Sequence, residues 1–285
     1  MLVDDLRRGD RVVDPRVDAD EEAALPRVGA AFRDSDRSVD LHSLSDELRI
    51  PSLTIEPILN GLESKGLLAA PEEGKKAPAV LICHAWAGRS QFENDKAHAL
   101  AELGYTGIAI DLFGKGVLGK SKEENQGLIK PFVDDRKFLQ SRLKANIEMV
   151  KEQAEVDASK IAAIGFCFGG LCVLDIARSN AGAAGVVSFH GILRAPGNTA
   201  PKIDAQVLAL HGWDDPMAKP DDVKAFGEEM TKAKADWQLH AYGGVMHAFT
   251  NPAANDPVRG TVYDKAADRR SWQAMTNFLD ELFNG

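Results

Sequence analysis

The sequence predicts an α/β fold in which a mainly parallel sheet is flanked by helices, and three observations carry that prediction. From about residue 77 onward, short β-branched runs alternate with longer stretches of helical periodicity. The first of these runs, "PAVLICHA", is nearly continuous in apolar residues, as a buried strand should be. The chain has 285 residues, 44% of them apolar, enough for one large core or for a large domain with an appendage.

The elements follow in order. Residues 1–40 are rich in Asp, Glu and Arg and low in aromatic residues, which reads as a charged extension, partly helical or disordered. Residues 41–70 admit two readings. One is a winged-helix-like unit. The other is a helix ending near Ile50, then a hairpin of strands 53–59 and 62–69 joined by Asn60-Gly61. The hairpin is preferred because it leads straight into the sheet and the segment has no excess of basic residues, although Pro57 would confine its first strand to an edge. The extension is therefore placed at 1–50 and the main domain at 51–285.

Strands are expected at Pro78–Ala85, Tyr105–Leu112 and in "KIAAIGF", "AGVVSFHG", "QVLALHG" and "WQLHAYG". Helices are expected at Phe92–Leu103, with Phe92, Ala97, Leu100 and Leu103 on one stripe, and at Arg136–Gln153, with Phe138, Leu139, Leu143, Ile147 and Val150 near one face. Further helices are expected from Phe168, Asp221 and Asp264. In such a sheet, ligands sit beyond the carboxyl ends of the strands.

Composition narrows the function. A net charge of -9 argues against a nucleic-acid surface over the whole molecule and against attraction to anionic membranes. The start "MLVDDLRRGD" lacks the apolar run of a signal peptide. The longest apolar tract, Ile161–Ala177, is interrupted by glycines and Asp175, so no membrane span is expected. Three cysteines, an odd and small number, suggest a reduced compartment, and a cytoplasmic location is expected. No metal-ligand spacing or phosphate loop occurs, and no cofactor is expected.

The chemistry concentrates in "GFCFGG", Gly165–Gly170. An apolar strand, a sharp turn and a helix surround Cys167 in the Gly-x-Cys-x-Gly spacing of a nucleophile elbow. Such a turn strains the nucleophile's backbone and needs small neighbours, here Gly165 and Gly169. The helix N-terminus favours a thiolate. A thiol nucleophile needs a base, and the base an orienting acid. Asp215, three residues after Gly212 in "LHGWDDPM", is the candidate acid, with Asp214 as runner-up. His247 in "YGGVMHAF" follows as the base. His211 is expected to bond the backbone of its own loop, and His42, His98 and His240 to lie on the surface or in strands. The oxyanion hole needs two backbone donors, expected at Phe168 and Trp86. His84, Ala85, Phe113, His190, Trp213 and Asn251 are expected to line the substrate pocket.

At these residues the chain resembles the dienelactone hydrolase family of α/β-hydrolases. The matching stretches are "HAWAGR", "GYTGIAIDLFGKG", "IGFCFGG", "LHGWDDPM" and "GGVMHAF", spread over about residues 53–283. The resemblance implies the α/β-hydrolase fold and a Cys167–Asp215–His247 triad. It also implies cleavage of a small-molecule ester or lactone, often carboxylated, through a thioester and without a cofactor. Two positions depart from the family's pattern. Ala85 stands where well-known members carry glutamate, and Asn251 where they carry a substrate-binding arginine. The resemblance thus extends to the hydrolytic machinery and not to dienelactone itself. Arg136 and Arg142 could supply a positive charge but are expected on a solvated helix face. Two other classes remain: a non-catalytic regulatory or binding protein with a winged-helix-like N-terminus, and a redox sensor using Cys167 and Cys172, five residues apart.

Overall fold

The computed structural model describes residues 67–72, 75–114 and 116–285. The charged extension, the winged-helix-like alternative and the first strand of the expected hairpin lie outside the described residues.

A seven-stranded sheet runs through the described residues in the order β1-β3-β2-β4-β5-β6-β7. Its strands are β1 (Leu67–Ala69), β2 (Ala77–Cys83), β3 (Thr106–Ala109), β4 (Val156–Phe166), β5 (Gly185–Phe189), β6 (Gln206–Gly212) and β7 (Trp237–Tyr242). β1 is antiparallel to β3, and every other neighbouring pair is parallel. Six helices described here complete the layers: α1 (Gln91–Glu102), α2 (Lys122–Asp134), α3 (Arg136–Lys151), α4 (Phe168–Arg178), α5 (Pro220–Lys232) and α6 (Lys265–Asn284). A short antiparallel ribbon, β8 (Asn255–Asp256) and β9 (Thr261–Val262), precedes α6.

The strand sequences are continuous in apolar residues because both faces of the sheet are covered. In β2, Val80 and Ile82 face Ala97 and Leu100 of α1 and Met275, Phe278 and Leu279 of α6. Ala79 and Leu81, on the opposite face, join Leu143 and Ile147 of α3, Leu171 of α4 and Phe226 of α5. Each fully buried Leu or Ile side chain contributes roughly 1.5–3 kcal/mol of transfer free energy. The two clusters therefore hold the strand ends as a rigid platform for the loops beyond them.

Helix α2 has no counterpart among the sequence expectations. Its burial is slight, with Asn125 and Phe132 the buried residues, and Pro131 lies inside it. Leu128, Ile129, Phe132 and Val133 make a short apolar stripe, but Gly127 and Pro131 within it read as helix breakers. Arg136 and Arg142 are not on a solvated face. Arg142 is buried and donates to the Leu112 carbonyl at 2.9 Å; burial pushes its pKa down to about 10, with Asp111 opposing the shift. Arg136 forks onto Asp175 at 2.7 and 2.5 Å. Arg136 is drawn out of solvent by the buried carboxylate that α4 supplies. No described helix is long and apolar enough to cross a membrane.

Candidate active site

Strand β4 ends at Phe166 and α4 begins at Phe168, leaving Cys167 alone to make the turn. Its backbone is at φ 57, ψ -112, a left-handed conformation that a side chain adopts only under constraint. The glycines supply the room. A Cβ on Gly165 would sit 2.0 Å from the Gly169 carbonyl oxygen, and one on Gly169 would sit 2.0 Å from that of Cys83. Ser90, Ser121, Asp135 and Asp264 cap the N-termini of α1, α2, α3 and α6 through their side chains. Helix α4 begins at Cys167 with no side-chain cap. Its first amides stay available for another negative group.

That group is the Cys167 sulfur. Burial alone would raise the thiol's pKa. The His247 charge and its hydrogen bond, together with the Phe168 and Trp86 backbone N–H groups, outweigh burial and bring the pKa below its ordinary value. The two amides expected to form an oxyanion hole thus converge on the sulfur. His247 shifts the other way. Burial would lower it, but Cys167 and the 2.7 Å bond from Nδ1 to Asp215 Oδ2 raise its pKa to about 10. The arrangement favours a thiolate–imidazolium pair. Asp215 is fixed in turn, its Oδ1 accepting the Met217 N–H at 2.8 Å. His247 Nε2 is buried and faces the Cys167 sulfur, the group it would take a proton from or return one to. Asp214 is exposed and its N–H donates to the Val245 carbonyl, which makes it a turn residue.

The loop after β2 carries Trp86. Glu93, buried in the first turn of α1, accepts from the Ala85 N–H at 3.3 Å and from the Ser90 N–H at 2.8 Å. Gly88, at φ 100, turns the chain back where a Cβ would lie 2.5 Å from the Val117 carbonyl oxygen. Glu93 thereby anchors the amide next to the one that faces the nucleophile. Sequence reading missed it because a Ser-x-x-Glu capping box alone explains a glutamate there.

The expected pocket residues divide. Phe113 and Trp86 are half-buried, and Phe113 stacks on Phe168 with ring centroids 6.1 Å apart. Trp213 is 45% exposed, and Ala85 is half-buried. Asn251 is exposed, with its side chain accepting the Ala253 N–H. His84 and His190 are corrections, since both are buried and both of their ring nitrogens are engaged. His84 bonds the Ala85 carbonyl oxygen through Nδ1 at 2.7 Å and accepts the Leu112 N–H at Nε2. It staples two loops together and leaves no polar atom for a ligand. His190 accepts the Cys167 N–H at Nδ1 (3.1 Å) and bonds Thr250 Oγ1 through Nε2 (2.8 Å). Its ring packs edge-on against His247 at 5.0 Å, and burial followed by the His247 charge holds its pKa well below the usual histidine value. His190 therefore supports the elbow as a neutral ring. His211 departs from expectation too: buried, its ring nitrogens have no hydrogen-bond partner among the described residues. Cys172 is fully buried and its pKa is raised well above the usual thiol value, first by burial and then by Cys83 and Asp175. That speaks against redox pairing with Cys167.

With the geometry in place, the comparisons with known proteins agree on one family. The profile of the dienelactone hydrolase family matches residues 64–283. A solved structure described as the dienelactone hydrolase-like promiscuous phosphotriesterase P91, from metagenomic libraries, is 36% identical. It superposes with a TM-score of 0.69, covering 74% of this chain and 90% of that one. A protein of Aquifex aeolicus named as a carboxymethylenebutenolidase is 27% identical over 77% of this chain and 94% of its own length. The uncharacterized protein K02A2.1 of Caenorhabditis elegans is 38% identical over 51% of this chain and 94% of its own length.

Proposed function

The chain belongs to the dienelactone hydrolase family and is a carboxylic ester hydrolase, and we propose that it cleaves small esters or lactones through Cys167 as nucleophile, His247 as base and Asp215 as orienting acid. One observation carries this reading: Cys167 stands strained at an uncapped helix N-terminus, with its thiol lowered by His247. The Cys167 proton passes to His247 Nε2, while Asp215 holds Nδ1. The thiolate attacks the substrate carbonyl carbon; as the C–S bond forms, the C=O π pair moves onto oxygen, and the Phe168 and Trp86 N–H groups hold the resulting oxyanion. The tetrahedral intermediate collapses, the alkoxide leaves with the proton from His247, and an acyl thioester remains on Cys167. Water then gives a proton to the same His247 and attacks the thioester, which releases the acid and restores the thiolate. A thiolate is itself a good leaving group, so esters and lactones with readily expelled alkoxides are favoured over amides.

The reading is tested with a panel of aryl esters and lactones. The panel includes a phosphotriester, because a structure 36% identical is described as a phosphotriesterase. Cys167→Ala should lower kcat/KM by about 10⁴-fold or more, as removal of a nucleophile that acts together with its base does elsewhere. Rapid quenching of wild type should place the acyl mass on the Cys167 peptide. Turnover by Cys167→Ala near the wild-type rate would contradict the proposal.

A further inference from the structure

We propose that the loop after β3 forms an apolar subsite, built from Phe113, Val117 and Leu118, that binds an alkyl or aryl portion of the ester; this rests on the hydrolytic reading of the Cys167 site. Strand β3 ends at Ala109, and the loop leaves the sheet at its carboxyl end, where ligands of such sheets sit. Its backbone is fixed by hydrogen bonds. Asp111 accepts the Phe113 N–H at 3.1 Å through Oδ1 and the Gly116 N–H at 3.3 Å through Oδ2. The Val117 N–H donates to the Gly114 carbonyl at 3.1 Å, and the Gly119 N–H donates to the Ala87 carbonyl at 3.0 Å. This pinned turn nonetheless presents Val117 and Leu118 to solvent, Leu118 at 45% exposure. Two neighbouring apolar side chains exposed together, continuous with the half-buried Phe113 ring, form a patch of the kind that marks ligand grooves.

The patch adjoins both amides that face the nucleophile. Leu118 Cδ2 and Phe113 Cδ2 lie 3.0 and 3.3 Å from the point a Cβ would occupy on Gly88. Gly88 is two residues from Trp86, whose N–H faces the Cys167 sulfur. On its inner side the Phe113 ring stacks on Phe168, the residue that supplies the second amide. Phe132 of α2 backs this pair, its ring 5.9 Å from Phe113 and 6.1 Å from Phe168. One apolar wall therefore runs from the elbow, past the oxyanion loop, to the exposed Leu118. The polar groups beside it are engaged with the protein. Both oxygens of Asp111 hold the turn, and both ring nitrogens of His84 are bonded to neighbouring backbone. A hydrocarbon group laid along the wall thus exchanges water for carbon contacts with little polar desolvation. The net charge of -9 repels anions at long range and leaves an uncharged ester unaffected.

The test uses the full-length enzyme and two series of esters. One lengthens the acyl chain of 4-nitrophenyl esters from acetate to hexanoate. The other lengthens the para-alkyl group of aryl acetates from phenyl to 4-butylphenyl. Each varies apolar length and leaves the leaving-group chemistry nearly constant. In wild type, kcat/KM should rise about twofold per methylene in at least one series, against the roughly fourfold of complete burial. The series that rises identifies which side of the ester lies on the wall. Leu118→Ser should reduce the rise, and the double variant Val117→Ser, Leu118→Ser should flatten it. Leu103→Ser is the control: Leu103 is 44% exposed but ends α1 just before β3, at the opposite end of the sheet, and the rise should be unchanged. A flat wild-type profile in both series, a rise that survives in the double variant, or an equal loss in Leu103→Ser would overturn the subsite. Turnover surviving in Cys167→Ala would instead overturn the nucleophile, with the effect of Leu118→Ser on chain length still measurable.

Discussion

Helix α4 carries a buried polar cluster at each end, and the two clusters differ in how completely they are satisfied. Toward its C-terminus, Asp175 receives Arg136 at 2.7 and 2.5 Å and Arg178 at 3.4 Å. Arg178 forks onto Glu229 at 3.0 and 2.7 Å and also donates to the Leu193 carbonyl, and Thr199 donates to Glu229. Every one of these charges meets an opposite one. At the N-terminus, Cys167 is strained, its thiol is lowered, and beyond Cys167 itself His247 Nε2 has no partner among the described residues. A closed network in a low-dielectric interior rigidifies; an open one is poised for a reactant. The cysteines draw the same contrast. Burial pushes Cys83 up to about 12 and Cys172 well above its ordinary value, while Cys167 alone among them moves down.

The largest way to break the comparison is at the closed end. Asp175→Ala leaves Arg136 without its carboxylate and Arg178 with only Glu229, and should cost roughly 3–5 kcal/mol in urea-induced unfolding. Activity at temperatures where the variant stays folded should fall no more than a few-fold. A collapse of kcat without loss of stability would mean that this network serves the chemistry after all.

The division between the two ends was only partly legible in the sequence. Chain order, the Gly-x-Cys-x-Gly elbow and strand-end residues located Cys167, Asp215 and His247, because each of these signals is local: a turn that demands glycine, or a side chain placed where a strand stops. The Asp175–Arg178–Glu229 network was not legible. Its partners lie up to 51 positions apart, and a charged residue within a helix reads by default as solvated. The same default placed Arg136 and Arg142 on the surface. His84 and His190 were located at the right strand ends and misread in role, since sequence places a histidine but cannot say which of its nitrogens neighbouring amides already occupy. Helix α2 escaped notice for a local reason: Gly127 and Pro131 inside it read as breakers of its short apolar stripe.

A smaller effect sharpens the open end. Burial lowers the pKa values of His84, His190 and His211 below 6.5, although Asp215 partly opposes it at His211. A depressed folded-state pKa means that the unfolded chain binds protons the folded chain does not. Stability is therefore full above pH 6.5 and lost as pH falls through the folded values, with a slope approaching about 1.4 kcal/mol per pH unit for each such group. His190→Gln should flatten that slope in pH-dependent thermal unfolding. An unchanged slope would mean that His190 is not the neutral support of the elbow.

The most direct test of the contrast is the pH dependence of alkylation by iodoacetamide, followed for each cysteine by peptide mass. Cys167 should react as a thiolate well below the ordinary thiol pKa of 9.0, while Cys83 and Cys172 stay unmodified in the folded protein. His247→Ala should move the Cys167 profile up toward or past that value, since burial then acts without its counterweight. A Cys167 profile centred at or above 9.0 in the wild-type protein, or one indifferent to His247, would contradict the account.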